Sequence, residues 1–185
     1  MRMIRKALPF LMTVLLLSPA FAKRDPLSAV EVDQLREVAQ EPNDRLKLIV
    51  KFASARLESL DQARSNPKLS SDDRTDQIHD LLEDFTSIYD ELNDNLDMYS
   101  DQKADFRKAM HLIIEGDAEF QNRLKAFRDA VEADPAKYQT KQFRFALENA
   151  IDAVNAGASD HRKVLEEQNQ LAADRKQGEK EKNKK

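Results

Sequence analysis

Large apolar residues recur at every seventh position between residues 78 and 127 of this chain. The series is Ile78, Phe85, Leu92, Tyr99, Phe106, Ile113, Phe120 and Phe127. A second row follows four places further on, at Leu82, Tyr89, Leu96, Met110, Leu124 and Val131. Only Lys103 and Asp117 interrupt this second row. On an α-helix the two rows form one apolar stripe, so the series predicts the buried seam of an all-α protein.

Helix-breaking residues divide the chain into helical segments. A capping-box pattern at Ser28 and Glu31 opens a short helix, and Pro42 ends it. The predicted helices cover residues 28–40, 44–64, 72–133 and 137–174. In the last of these, six small residues make the helix thin enough for a neighbour to approach closely: Ala146, Ala150, Ala153, Ala156, Gly157 and Ala158. Residues 23–173 are predicted to form one helical domain. Residues 174–185 contain no apolar residue and are predicted to form a disordered charged tail.

The segment 72–133 decides the architecture, because it can form one helix or two. The seven-residue phase continues from Tyr99 to Phe106, which favours one continuous helix about 90 Å long flanked by two shorter helices. Against this, residues 93–101 are rich in Asn, Asp and Ser, which are poor helix formers. A turn there gives an antiparallel four-helix bundle with a short N-terminal helix, and every stripe is then buried within one chain. We predict the four-helix bundle and retain the continuous helix as the alternative.

The first 22 residues have the parts of a secretory signal peptide. A basic start precedes an apolar run at residues 7–17, and Ala20 and Ala22 are the small residues that a signal peptidase requires. The run is too short to span a membrane and meets Lys23 at once. We expect cleavage after Ala22, export to a bacterial periplasm or outside the cell, and no transmembrane span in the mature chain.

Composition excludes several classes of function. The net charge is −4. The predicted signal peptide contains basic residues but no acidic ones, so its removal makes the chain more negative, which argues against nucleic-acid binding. The chain has no cysteine, so disulfides, thiolate metal sites and a Cys nucleophile are excluded. Gly-rich phosphate loops and nucleophile-elbow motifs are absent from the sequence. We therefore predict a non-enzymatic protein without a cofactor, acting as a protein-interaction, structural or chaperone-like module.

Acidic residues dominate the segment 72–101, in which Arg74 is the only basic residue besides His79. The simpler interpretation is a solvated face that is balanced by the basic helix at 44–64. The functional interpretation is a docking face for a basic protein partner. The predicted interaction face is Asp76, Asp80, Glu83, Asp84, Asp90, Glu91 and Asp94. Self-association of the chain is a further expectation.

Three residues could form a metal site. With turns near 101 and 135, His111 and His161 would approach each other, and Glu115 is one turn from His111. Two imidazoles and a carboxylate can hold a divalent metal such as zinc or copper. A metal- or haem-binding bundle that uses His111 and His161 is therefore the alternative function, and a core histidine bonded to a neighbour is the simpler interpretation of His161.

Asp117 interrupts the apolar row and is therefore expected inside the bundle. A helical bundle with turns near 101 and 135 would place it roughly level with Lys51. We predict a buried Asp117–Lys51 pair that fixes the register of the helices.

Overall fold

A computed structural model describes residues 24–135, 138 and 140–182 of the 185-residue chain. These residues form five helices and no strand, so the all-α prediction is confirmed. The helices are α1 (Ala29–Glu37), α2 (Pro42–Ser65), α3 (Ser71–Asp101), α4 (Arg107–Ala133) and α5 (Thr140–Lys182). None of the described helices has the length and apolar character that a membrane crossing requires. The predicted signal peptide, residues 1–22, lies outside the described residues.

The segment that carries the seven-residue series is two helices. α3 ends at Asp101, and Lys103 turns the chain with a left-handed φ of 54°. α4 has no side-chain cap of its own, but Asn43 from the first turn of α2 accepts a hydrogen bond from the Ala109 N–H at 3.0 Å. The continuous helix over 72–133 is therefore wrong. The four-helix bundle with a short N-terminal helix is confirmed.

The four long helices form a square in which α3 and α4 occupy opposite corners. α2 and α5 each pack against both α3 and α4, whereas the backbones of α3 and α4 nowhere approach closely along their described lengths. Contacts of Asn43 with Ala109 and of Asp61 with Arg123 show that α2 and α4 are parallel neighbours. The α3–α4 turn thus crosses one end of the bundle diagonally, and side chains from α3 and α4 meet at the centre of the core.

The apolar series is the core of this bundle, as its spacing predicts. All eight members of the series and all six apolar members of the second row are buried. Phe85 and Phe120 meet edge to face across the diagonal with their ring centroids 5.3 Å apart. Phe127 stacks on Phe143 of α5 at 5.8 Å. Full burial of such side chains contributes about 2–3 kcal/mol each before conformational entropy is subtracted.

α5 is longer than the sequence predicts. It begins at Thr140 and continues to Lys182, so the predicted disorder from residue 174 is wrong as far as Lys182; residues 183–185 lie outside the described part of the chain. Ala172 is buried, and Arg175 donates a hydrogen bond to the carbonyl of Lys103. Lys, Glu, Arg and Gln are good helix formers, so a segment without apolar residues can extend a helix that is already anchored.

Candidate functional site: a buried network beneath the α3–α5 groove

Asp117 is the centre of a hydrogen-bond network inside the bundle. It is 1% exposed. One carboxylate oxygen accepts a hydrogen bond from the Tyr89 hydroxyl at 2.7 Å, and the other lies 2.8 Å from Nδ1 of His161. Nε2 of His161 lies 2.9 Å from Oδ1 of Asn93. The network therefore joins α3, α4 and α5 at the middle of the bundle.

Gly157 allows this network to form. A Cβ atom added at position 157 would lie 2.4 Å from the hydroxyl oxygen of Tyr89 and 2.7 Å from Cε1 of its ring. Every residue other than glycine would therefore clash with the side chain that reaches Asp117. The thin stretch that the sequence predicts in the last helix is thus the place where α3 approaches α5, and that prediction is confirmed.

The electrostatics of the network follow from its burial. Burial, together with the negative charge of Asp117, raises the pKa of the Tyr89 hydroxyl far above its usual value, so Tyr89 stays protonated and donates. Both ring nitrogens of His161 face oxygen atoms, one of the Asp117 carboxylate and one of the Asn93 amide. An ionised carboxylate can only accept, so the imidazole donates from Nδ1 to Asp117.

The predicted partner of Asp117 is wrong. Burial of Asp117 is confirmed, but Lys51 is exposed on the outer side of α2. Its place is taken by His161 and Tyr89, because Asp117 points across the diagonal toward α3 and α5. We therefore assign to Asp117 and His161 the register role that was predicted for Asp117 and Lys51.

The predicted metal ligands do not meet. His111 and Glu115 are exposed on α4, whereas His161 is 2% exposed and engages Asp117 and Asn93. Asp117, and not His111, is the α4 residue that His161 reaches. Throughout the described ranges, no three His, Asp or Glu side chains are grouped so that they could hold a metal ion.

The predicted acidic interaction face is divided between two sides of α3. Arg24 pairs with Asp80 at 3.2 Å and with Asp84 at 2.7 Å, and Arg45 pairs with Glu91 at 3.1 Å. Burial raises the pKa of Asp84, although Arg24 acts in the opposite direction. These three acids thus pair with arginines outside α3. The other four are exposed: Asp76, Glu83, Asp90 and Asp94. Of these, Glu83 lies 3.7 Å from Nε2 of His79.

A surface groove runs between α3 and α5 above the buried network. It consists of two depressions that share Asp90 in their linings. The first has a volume of about 230 Å³ and is flanked by Phe145, which is 74% exposed. The second has a volume of about 310 Å³, and Asn93 and His161 contribute to its lining. We call the two depressions together the α3–α5 groove.

A row of acids follows the α3 side of this groove. Asp76, Glu83, Asp90 and Asp97 stand seven residues apart and are all exposed. The last three line the groove, and Asp160 lines it from α5. Neither Asp97 nor Phe145 is among the predicted site residues. Two features of the sequence could have indicated them. The acids of α3 repeat every seven residues, and Phe145 lies off the apolar stripe of its helix.

The Asp117–His161 pair has the form of a carboxylate that orients an imidazole. The far nitrogen of that imidazole meets the Asn93 amide, which is neither a nucleophile nor an acid–base group. The network can therefore hold three helices in register. No family model matches this chain, and no curated protein or solved structure matches it at a significant level.

Proposed function

We propose that this protein is an exported, non-enzymatic interaction module that binds a basic, amphipathic segment of a partner protein in the α3–α5 groove. The observation that carries the proposal is Phe145, an aromatic side chain that is 74% exposed beside an acid-lined depression. Covering a phenyl ring removes its apolar surface from water, which is worth about 2 kcal/mol. Large aromatic residues are also the usual anchors of protein–protein contacts.

The charge of the groove selects the chemistry of the partner. Glu83, Asp90 and Asp97 line one wall, and Asp160 stands on the other, although Asp160 is also paired with Lys163. Exposed charges of one sign accelerate association with an oppositely charged partner and exclude partners of the same sign. Lysine and arginine are the complementary residues, and their aliphatic stems can lie on small apolar residues of the groove such as Ala156.

The spacing of the groove favours a helical segment as the ligand. From Phe145 to Val164 the groove follows α5 for about 30 Å, which is the length of a helix of about 20 residues. The acids on α3 repeat every seven residues, or every two helical turns. A ligand helix that lies along the groove would match them with basic residues at the same seven-residue spacing.

Two synthetic peptides of about 20 residues test the proposal. Both carry leucine at helical spacing; one has lysine at the flanking positions and the other has glutamate. Fluorescence anisotropy with the purified protein should give tighter binding of the lysine peptide. Its affinity should fall with added salt, because the opposed charges are at the surface. Equal binding of the two peptides would contradict the proposal.

Variants locate the binding in the groove. Phe145→Ser should weaken the lysine peptide about tenfold, which is typical of losing an aromatic anchor. Val30→Ser is the matched control, because Val30 is 66% exposed on α1, outside the groove. Asp90→Asn combined with Asp97→Asn should reduce the salt dependence. If Phe145→Ser binds the lysine peptide as tightly as Val30→Ser does, the site is elsewhere.

A further inference from the structure

A second groove lies on the opposite side of the bundle, between the parallel helices α2 and α4. It has a volume of about 400 Å³, the largest among the surface depressions described for this chain. Val50 and Gly116 contribute to its lining, and Leu112 lines it with 40% of its surface exposed. We call this surface the α2–α4 groove. It shares no residue with the α3–α5 groove.

The two walls of the α2–α4 groove differ in charge. Lys47 and Lys51 line the α2 side together with Glu58, and Glu115 and Glu119 line the α4 side. Asn43–Ala109 and Asp61–Arg123 contacts bracket the groove and fix the alignment of the two helices. In that alignment Lys51 lies level with Glu115, and both side chains are exposed. Lys47 and Glu119 also pair with Asp44 and Arg123 of their own helices.

A surface with a lysine on one wall and a glutamate at the same level on the other is complementary to itself. A second copy that is turned by half a turn about an axis along the groove places its α4 opposite α2 of the first copy, at the same level. Lys51 of each copy then faces Glu115 of the other, and the two Leu112 side chains meet near the axis. Such an isologous contact forms the Lys51–Glu115 pair twice, whereas a partner of a single charge would pair with only one of these two residues.

We propose that the α2–α4 groove is the interface of a parallel, two-fold symmetric homodimer of this chain. Gly116 allows α2 and α4 to pack closely beneath the groove, because it has no side chain. A Cβ added there would lie 3.2 Å from Cγ1 of Val50, so α2 and α4 are already in tight contact beneath the floor. The exposed leucine supplies the apolar centre and the opposed charges supply the polar rim, as in other specific interfaces.

A charge exchange tests the dimer. Sedimentation of the full chain at micromolar to millimolar concentration should show a monomer–dimer equilibrium. Lys51→Glu and Glu115→Lys, each alone, bring like charges together across the axis and should shift the equilibrium toward monomer. The combined variant restores both pairs and should restore the dimer. Equal thermal stability of all three variants at a concentration where each is monomeric would show that the changes act on association and not on folding.

Leu112→Asp should also give a monomer. Met98→Asp is the matched control, because Met98 is likewise 40% exposed but belongs to α3, outside the α2–α4 groove. A chain that is monomeric at every concentration, or a combined charge variant that stays monomeric, would overturn the proposal. Peptide binding in the α3–α5 groove should be the same for all these variants, so the two proposals can fail separately.

Discussion

Asp117 is a charged residue in an apolar core, and its hydrogen bonds must offset the loss of water. Taking a carboxylate out of water costs several kcal/mol. Tyr89 and His161 each supply one hydrogen bond, and hydrogen bonds to a carboxylate are charge-assisted. Any slip of α5 by one helical turn would remove His161 and leave Asp117 without the second of its two hydrogen-bond partners. The network therefore acts against wrong registers of the helices more than it adds net stability to the correct one.

Asp117→Asn is the sharpest test of this network. Asparagine keeps the shape of the side chain but removes the charge, and its NH₂ group must then face either the Tyr89 hydroxyl or Nδ1 of His161. Because breaking a buried pair leaves its partner unsatisfied, we expect the free energy of unfolding to fall by about 3 kcal/mol in urea titrations. Asp129→Asn, an exposed change on the same helix, should cost about 0.5 kcal/mol or less. Similar losses for the two variants would show that burial of Asp117 is unimportant.

The position of this network could be predicted from the sequence, but its membership could not. A charged residue in an otherwise apolar row indicates a buried polar site, and Asp117 is buried. The simpler interpretation of His161, a core histidine bonded to a neighbour, matches the structure. The partner depends on which helices share the core and at which level. That is set by the diagonal placement of α3 and α4 and by the start of α5, neither of which leaves a local signal.

Among the helix pairs, α3 and α5 owe their close contact to Gly157. Glycine normally destabilises a helix interior by about 1 kcal/mol relative to alanine. At this position the missing Cβ makes room for the rigid, buried ring of Tyr89. Gly157 therefore lowers the local helix propensity of α5 but allows the Tyr89 hydroxyl to reach Asp117.

Gly157→Ala should therefore destabilise the protein, against the usual preference for alanine. The added Cβ displaces Tyr89 and weakens its bond to Asp117, so we expect a loss of about 2 kcal/mol in the free energy of unfolding. Gly178→Ala is the control in the same helix, because a Cβ there has no atom within 4 Å. That variant should be neutral or slightly stabilising. Thermal unfolding measures both, and a stabilising Gly157→Ala would contradict the close contact.

Combining Gly157→Ala with Tyr89→Phe separates the clash from the hydrogen bond. The phenylalanine ring lacks the hydroxyl oxygen that would lie 2.4 Å from the new Cβ, although Cε1 and Cζ remain within 3 Å. Part of the lost stability should return relative to the sum of the two single changes.

The α3–α4 turn shows why helix boundaries were harder to predict than helices. The Asn-, Asp- and Ser-rich residues 93–101 indicated a turn, yet all of them are helical. Asn95 is held in place there by Arg45 and Glu91. The turn follows at residues 102–106 and includes Lys103, one of the two gaps in the apolar row. The apolar phase survives the turn because Tyr99 and Phe106 cover the same end of the core, with ring centroids 6.3 Å apart.

For the molecule as a whole, α1 and the segment before it are fastened to the bundle mainly by charge. Leu35 is the only buried residue of α1. Arg56 of α2 donates to Glu31 at 2.6 Å and to the carbonyl of Pro26 at 2.7 Å. The side chains of Arg56 and Glu31 are each 14% exposed, so this pair is shielded from water better than most surface ion pairs. The attachment of α1 should therefore depend on pH.

The sign of that dependence follows from Glu31. Hydrogen bonds from Arg56 lower the pKa of Glu31 from its ordinary 4.5 to about 2. A carboxyl whose pKa is lower in the folded chain stabilises the fold at pH values above its ordinary pKa, and this contribution is lost as the pH falls from 4.5 toward 2. The shift corresponds to about 3 kcal/mol at most.

Glu31→Gln should reduce the dependence of the free energy of unfolding on pH in this range. Glutamine can still accept the capping hydrogen bonds from the Ser28 N–H and hydroxyl, but it cannot pair with the charge of Arg56. We expect the variant to be less stable than the parent at neutral pH, with the difference shrinking to near zero as the pH approaches 2. Glu37→Gln, an exposed change in the same helix, should leave the profile unchanged. Hydrogen exchange in α1 and thermal unfolding across this pH range measure the effect, and a constant gap between parent and Glu31→Gln would exclude Glu31 as its source.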